Sequence, residues 1–303
     1  MEDILNFANL YGHEFAKNTF IKGYKKGKLP HAWLIHGESG IGKTTYVYAI
    51  AHFLLDTKEK ECCKNLQHHP DCLLIDSKES YLSDTKKTSI ISIEKIRQIP
   101  KFLSLTSINS KRKIVIINGA EYLNLNAANA LLKALEEPVE QSYLFLIANK
   151  IGNVPSTLQS RCASLKMNKL CSKDFSRLIK KLKPEISDQE VLELKNFSNR
   201  NVNIALALYE QKVLHLFNII YNVILLYDIE LIKKIVDYLN EATENWEILK
   251  YIIFYTFHKL ITQKCKDSSV IKLIERFEKA VKLIRECEVL HLDKSKLLTA
   301  ILI

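Results

Sequence analysis

The chain has 303 residues, 47% apolar and 26% charged, an ordinary balance for a soluble protein long enough to form two or three domains. Its formal charge of +10 is spread evenly over both halves, which excludes a dedicated basic arm and is compatible with a polyanionic partner such as DNA. Seven irregularly spaced cysteines fit a reducing compartment, the N-terminus lacks a signal-peptide pattern, and the most apolar run, 213–227, is too short and polar to span a bilayer. A cytoplasmic protein without membrane contact is expected.

In chain order, residues 1–31 read as a helix with irregular ends, closing on a turn at Lys28-Leu29-Pro30. Ala32–His36 reads as a short buried strand. Gly37-Glu38-Ser39-Gly40-Ile41-Gly42-Lys43-Thr44 then fits the phosphate-loop pattern G-x-x-x-x-G-K-[ST], and helical spacing runs from Lys43 to about Leu55. A polar stretch, 58–71, leads to a second strand at Cys72–Asp76 and an exposed loop at 77–89. Ser92 is placed to cap a helix running to about Leu105, which Pro100 should bend or split. Lys113–Ile117 is the third strand, Leu125–Glu137 a strong helix stopped by Pro138, Tyr143–Ile147 the fourth strand and Ala163–Met167 a fifth. Strands alternating with helices imply an α/β domain with a mainly parallel sheet covered on both faces.

The composition then changes. Glycine is absent after Gly152, and neither glycine nor proline occurs from Glu185 to Ile303, so this region is expected to be all helix. Short patterns at 172–182, 187–197 and 201–211 suggest a three-helix unit. Longer ones at 213–227, 229–240, 246–263, 268–287 and 293–303 suggest a separate bundle. The expected domains are therefore 1–167, 168–212 and 213–303.

The phosphate-loop pattern sits between a strand and a helix N-terminus, where backbone N–H groups and the helix dipole converge on phosphate oxygens. Gly37, Gly40, Gly42, Lys43, Thr44 and Thr45 are the candidate nucleotide-binding residues. Lys43 would pair with the β/γ-phosphates and the Thr44 hydroxyl would reach Mg²⁺. Such sites also need an Asp at the end of a buried strand to hold Mg²⁺, with a neighbouring carboxylate to prepare water. Here the third strand is followed by Asn118 and Gly119, and Glu121 is expected to point elsewhere. The reading is an ATP or ADP site that holds Mg²⁺ weakly and lacks its hydrolytic half.

Asn126-Ala-Ala-Asn-Ala-Leu-Leu-Lys-Ala-Leu-Glu-Glu-Pro138 resembles the signature helix of bacterial clamp-loader subunits, members of the AAA+ superfamily, and Ser160-Arg161-Cys162 is similar to their Ser-Arg-Cys motif. Gly12-His13-Glu14, Leu29-Pro30-His31-Ala32, His69-Pro70-Asp71 and Leu292-Asp293-Lys294 match habits of the delta-prime branch of that family. The resemblance implies a RecA-like nucleotide domain, a three-helix lid and a C-terminal collar that assembles a five-membered ring. It also implies that Arg161 acts in trans as an arginine finger on a neighbour's ATP, and that Asn149 is the phosphate-sensing residue. Around Asn203 the lid lacks the arginine of active versions. The implied partners are gamma/tau-like ATPases and a delta-like subunit, with the sliding clamp and primer-template DNA reached through the complex.

Cys62, Cys63, His68, His69 and Cys72 invite comparison with a zinc module, but no C-x-x-C pair is present and zinc is not expected. Two other readings compete with the non-hydrolysing ring subunit. One is a hydrolysing gamma/tau-like ATPase. The other is a phosphate-loop nucleotide kinase, which would need neither the signature helix nor Ser-Arg-Cys.

Overall fold

The computed structural model describes residues 10–55, 66–76, 90–210, 214–226, 229–241, 245–263, 269–290 and 292–302. Cys62, Cys63 and the loop expected at 77–89 lie outside them. The chain divides into two compact units, Met1–Leu182 with Arg200–Asn203, and Lys183–Asn199 with Ile204–Ile303.

The first unit is built on five parallel strands: β1 (Ala32–His36), β2 (Cys72–Asp76), β3 (Lys113–Asn118), β4 (Ser142–Ala148) and β5 (Ala163–Lys166). Their order across the sheet is β2-β3-β4-β1-β5. The period-2 rule sorts the side chains into two cores. Leu34, Val115, Ile117, Leu144 and Leu146 face one way, with α3 (Ile93–Ile96), α4 (Gln98–Ser104), α5 (Leu125–Glu136) and α6 (Ser156–Gln159) over them. Trp33, Ile35, Ile114, Ile116 and Phe145 face the other, under α1 (Glu14–Lys25) and α2 (Lys43–Leu54).

The strand order decides what can meet. β4 lies between β1 and β3, so the loop after β1, Asn149 after β4 and Asn118 at the end of β3 all reach the carboxyl edge of the sheet together. That edge is where parallel sheets bind ligands.

Local chemistry fixes the ends of these elements. Asn124 caps α5 by accepting a hydrogen bond from the Ala127 N–H at 2.8 Å. The helix expected from Ser92 is split at Arg97, ahead of Pro100, because proline has no N–H to carry the hydrogen-bond ladder back to Ile96. Asp71 is fully buried and accepts from the backbone N–H groups of Ile108, Asn109 and Ser110 at 2.8–2.9 Å. Burial alone would raise its carboxyl pKa, but these N–H groups and the Ser110 hydroxyl outweigh that and hold it below the usual range.

Helix α7 (Ser172–Leu182) closes the first unit, and α9 (Val202–Glu210) begins in it. The second unit holds α8 (Asp188–Phe197), whose Ser187 and Glu190 form a capping box, and α10 (Leu214–Leu226) to α14 (Lys294–Leu302). Helices α10, α11 (Ile229–Glu241), α12 (Asn245–Gln263), α13 (Ser269–Leu290) and α14 pack around Ile220, Val223, Ile235, Ile253, Phe257 and Leu298. Arg276 donates from Nη1 to the Ile224 carbonyl at 2.8 Å and from Nη2 to that of Leu302 at 2.9 Å, placing a cation at the negative ends of α10 and α14. Among the described residues no helix is long and apolar enough to cross a membrane.

Candidate nucleotide site and a surface arginine

The phosphate loop is held by its carbonyl oxygens, each with a donor. The Lys43 ammonium donates to Gly37 O at 2.8 Å and Glu38 O at 2.6 Å. The Asn201 side-chain amide donates to Ser39 O at 2.8 Å, and the Val202 N–H to Gly40 O at 3.1 Å. His13 Nε2 lies 2.7 Å from Ile41 O and must carry a proton to donate there. Because each peptide is planar, fixing five carbonyls also fixes the N–H groups that oppose them, which preorganises the loop for an anion.

Two glycines show why no side chain fits here. Gly40 has φ +70°, and a Cβ on it would lie 2.0 Å from Asn201 Oδ1. Gly37 has φ +150°, and its Cβ would meet the Met167 carbonyl at 2.3 Å. His13 is itself left-handed, with φ 59°, a conformation that costs a non-glycine residue about 1 kcal/mol or more and is sustained here by its bond to the loop.

Lys43 is 6% exposed, and its third acceptor is Asn149 Oδ1 at 2.9 Å. Burial pushes its pKa down to about 8, against the opposing charges of Glu121 and Glu38. Around it opens a cavity of about 340 Å³, within the range of small-molecule sites. Gly40, Gly42, Lys43, Thr44, Thr45, Asn118, Asn149 and Asn203 line it. Gly37 lies behind the loop, facing a separate hollow beside His36 and Lys166.

Two carboxylates change the sequence reading of this wall. Glu121 turns back towards the site: Oε1 accepts from the Asn149 N–H at 2.9 Å, which ties Glu121, Asn149 and Lys43 into one chain of contacts. The 3-10 turn at Ala120–Tyr122 reverses the backbone after Gly119 and aims Glu121 inward. Asp76 was not singled out from the sequence. It ends β2 in register with Asn118, and its Oδ2 accepts from Asn118 Nδ2 at 3.0 Å. The end of β3 itself still carries an amide, and Gly119 offers no side chain. The loop's N–H groups and Lys43 therefore suit a polyphosphate. At the end of β3 a divalent cation would meet the neutral amide of Asn118, bonded to the Asp76 carboxylate at the end of β2.

His69 Nδ1 accepts from the Asp71 N–H at 3.1 Å, and burial pushes the Cys72 thiol up to about 12. Among the described residues no group of His, Cys, Asp and Glu is arranged to hold a metal ion.

Arg161 stands apart from the cavity, between α6 and β5. Its Nε and Nη2 reach Glu136 Oε1 at 2.7 and 2.5 Å, and Nη1 donates to Thr157 O at 3.0 Å and Ser160 Oγ at 3.3 Å. Glu136 is the last residue of α5, within the stretch that resembles the signature helix. Its link to Ser-Arg-Cys spans 25 residues and no sequence spacing announces it.

The chain is similar in sequence to known proteins. A DNA polymerase III subunit gamma from Buchnera aphidicola of Schizaphis graminum is 29% identical over 214 residues, 68% of this chain and 58% of that protein. A DNA polymerase III subunit delta' from Pseudomonas aeruginosa is 33% identical over 142 residues, 44% of this chain and 41% of the relative. The chain spans about half the length of the curated relatives it matches. The solved structure of a DNA polymerase III gamma subunit-related protein from Thermotoga maritima covers 93% of this chain and 97% of its own, with 18% identity and a TM-score of 0.48. The family model described as DNA polymerase III, delta subunit, matches residues 12–171, which hold the phosphate loop, the signature helix and Arg161 alike, and the chain belongs to that family.

Proposed function

We propose that this chain is a non-hydrolysing clamp-loader subunit of a bacterial DNA polymerase III holoenzyme, of the delta-prime type, which binds ATP or ADP and lends Arg161 to a neighbouring ATPase subunit. The observation that carries the reading is the asymmetry of the sheet edge. A complete, preorganised phosphate loop with Lys43 faces a β3 end that carries Asn118 and Gly119 instead of two carboxylates. Bound nucleotide would supply the phosphates that Lys43, Thr44, Thr45 and Asn149 hold and orient.

Arg161 supports the second half of the proposal. It is permanently charged, lies on the surface rather than at its own loop, and has the planar shape that can fork phosphate oxygens as charge develops. The three-part division, with a lid at 168–212 and a collar at 213–303 that assembles the ring, belongs to the same reading. Its partners are gamma/tau-like ATPases and a delta-like subunit, and the sliding clamp and primer-template DNA are engaged through the complex.

A gamma/tau-like hydrolysing subunit is the second reading, favoured by the Asp76 carboxylate beside Asn118, by Glu121 turned towards the site and by the likeness to a gamma subunit. Equilibrium nucleotide binding and turnover by the purified chain, alone and with its ATPase partners, separate the two. Binding without turnover supports the proposal, and turnover that depends on Lys43 supports the alternative.

A further inference from the structure

We infer that Glu136 is a latch that holds Arg161 folded against its own subunit and yields it to the neighbour's phosphate; this rests on the arginine-finger reading. Guanidinium has five N–H donors. Here Nε and Nη2 each give one to Glu136 Oε1, and Nη1 gives its pair to Thr157 O and Ser160 Oγ. A two-pronged grip on phosphate needs two parallel N–H groups. In the arrangement seen, that fork is not available, so Arg161 must exchange partners before it can act.

Glu136 is the acceptor that matters in this exchange, because it alone among the three brings a full negative charge and cancels the charge a finger must supply. Its position is also unfavourable without Arg161. It ends α5, where the helix dipole already places negative charge, so the pair offsets a repulsion that the sequence would otherwise leave standing. The hold is nevertheless weak. Both side chains are partly in water, 35% exposed for Arg161 and 49% for Glu136. An exposed pair of this kind shifts an equilibrium by about two- to five-fold. A triphosphate carrying several charges outcompetes one carboxylate, and the exchange runs only when a neighbour presents it. The pairing thus keeps an exposed arginine in one place without making it costly to release.

The test uses rings assembled from the full chain and gamma-type ATPase partners, with ATP turnover read at the neighbouring site. Glu136→Gln keeps the side-chain shape and removes the charge, and neutralising a helix C-terminus does not endanger folding. The expected result is a rise in kcat/KM of about two- to five-fold, and no change when the same substitution is made in the Arg161→Ala background. In the free chain, Glu136→Gln should also speed hydrogen exchange at the Arg161 Nε–H. A merely structural Glu136 would produce neither the gain nor its dependence on Arg161. If Arg161→Ala cripples the neighbouring site while Glu136→Gln leaves kcat/KM unchanged or lowers it, the latch is overturned and the finger stands. If Arg161→Ala itself changes nothing, both fall.

Discussion

The carboxyl edge of the sheet and the corner between α5 and α6 each hold one cation of the proposed mechanism, and they hold it in opposite ways. Lys43 is buried and surrounded by neutral oxygens, those of Gly37, Glu38 and Asn149, which orient an ammonium without cancelling its charge. Arg161 is about one third exposed and paired to a carboxylate. The first arrangement suits a ligand of this chain's own, since no carboxylate bonds the ammonium directly and that place is left for an anion. The second suits a cation that must stay put on a free subunit and change partners on assembly. What distinguishes the regions is the charge of the acceptor rather than the strength of the hydrogen bonds.

That contrast can be broken from either side. The largest effect is expected from Arg161→Ala in assembled rings, where loss of an arginine finger costs ~10³-fold or more in turnover at the adjacent site. This chain's own nucleotide affinity should stay unchanged, as binding assays on the variant would show. Arg161→Lys should restore only part of the loss, because it keeps the charge without the planar fork. Lys43→Ala should produce the reverse pattern. Removal of a charge-assisted contact weakens nucleotide binding to this chain by ~10- to 100-fold, with neighbouring-site turnover retained.

A pH series sharpens the same comparison. Burial lowers the Lys43 pKa to about 8, and a bound polyphosphate favours the charged form and raises it again. Affinity should therefore be level below about pH 8 and fall up to ~10-fold per unit above it, with a proton taken up on binding near pH 8. Titration calorimetry in buffers of different ionisation enthalpy measures that proton directly. Finger-dependent turnover at the neighbouring site does not pass through Lys43 of this chain and should not share this profile. Gly40→Ala acts on the loop itself and should lower stability together with nucleotide affinity. A left-handed alanine driven against Asn201 costs ~1–3 kcal/mol and should lower the denaturation midpoint.

Much of this was legible in the sequence. Strand β1, helix α2 and the loop between them follow from one motif in one context. The helices of the second unit follow from apolar spacing in a stretch without glycine or proline, where little else could form. The sequence reading missed interactions that depend on distance along the chain. His13 meets Ile41 across 28 residues and Asn201 meets Ser39 across 162, so the clasp on the loop appears only once the sheet order is known. Asp76 joins Asn118 by strand register, and Glu121 turns inward because a 3-10 turn follows Gly119. The carboxylates of Asp76 and Glu121 were visible in the sequence, but their direction was not.

The central claim is that the loop binds nucleotide while the chain does not turn it over. The most direct test measures equilibrium ATP binding and steady-state phosphate release on the same purified chain, wild type and Lys43→Ala. The account predicts saturable binding that Lys43→Ala weakens, with phosphate release at background for both proteins. Robust release by the wild type that Lys43→Ala abolishes would contradict it and make this chain an ATPase in its own right.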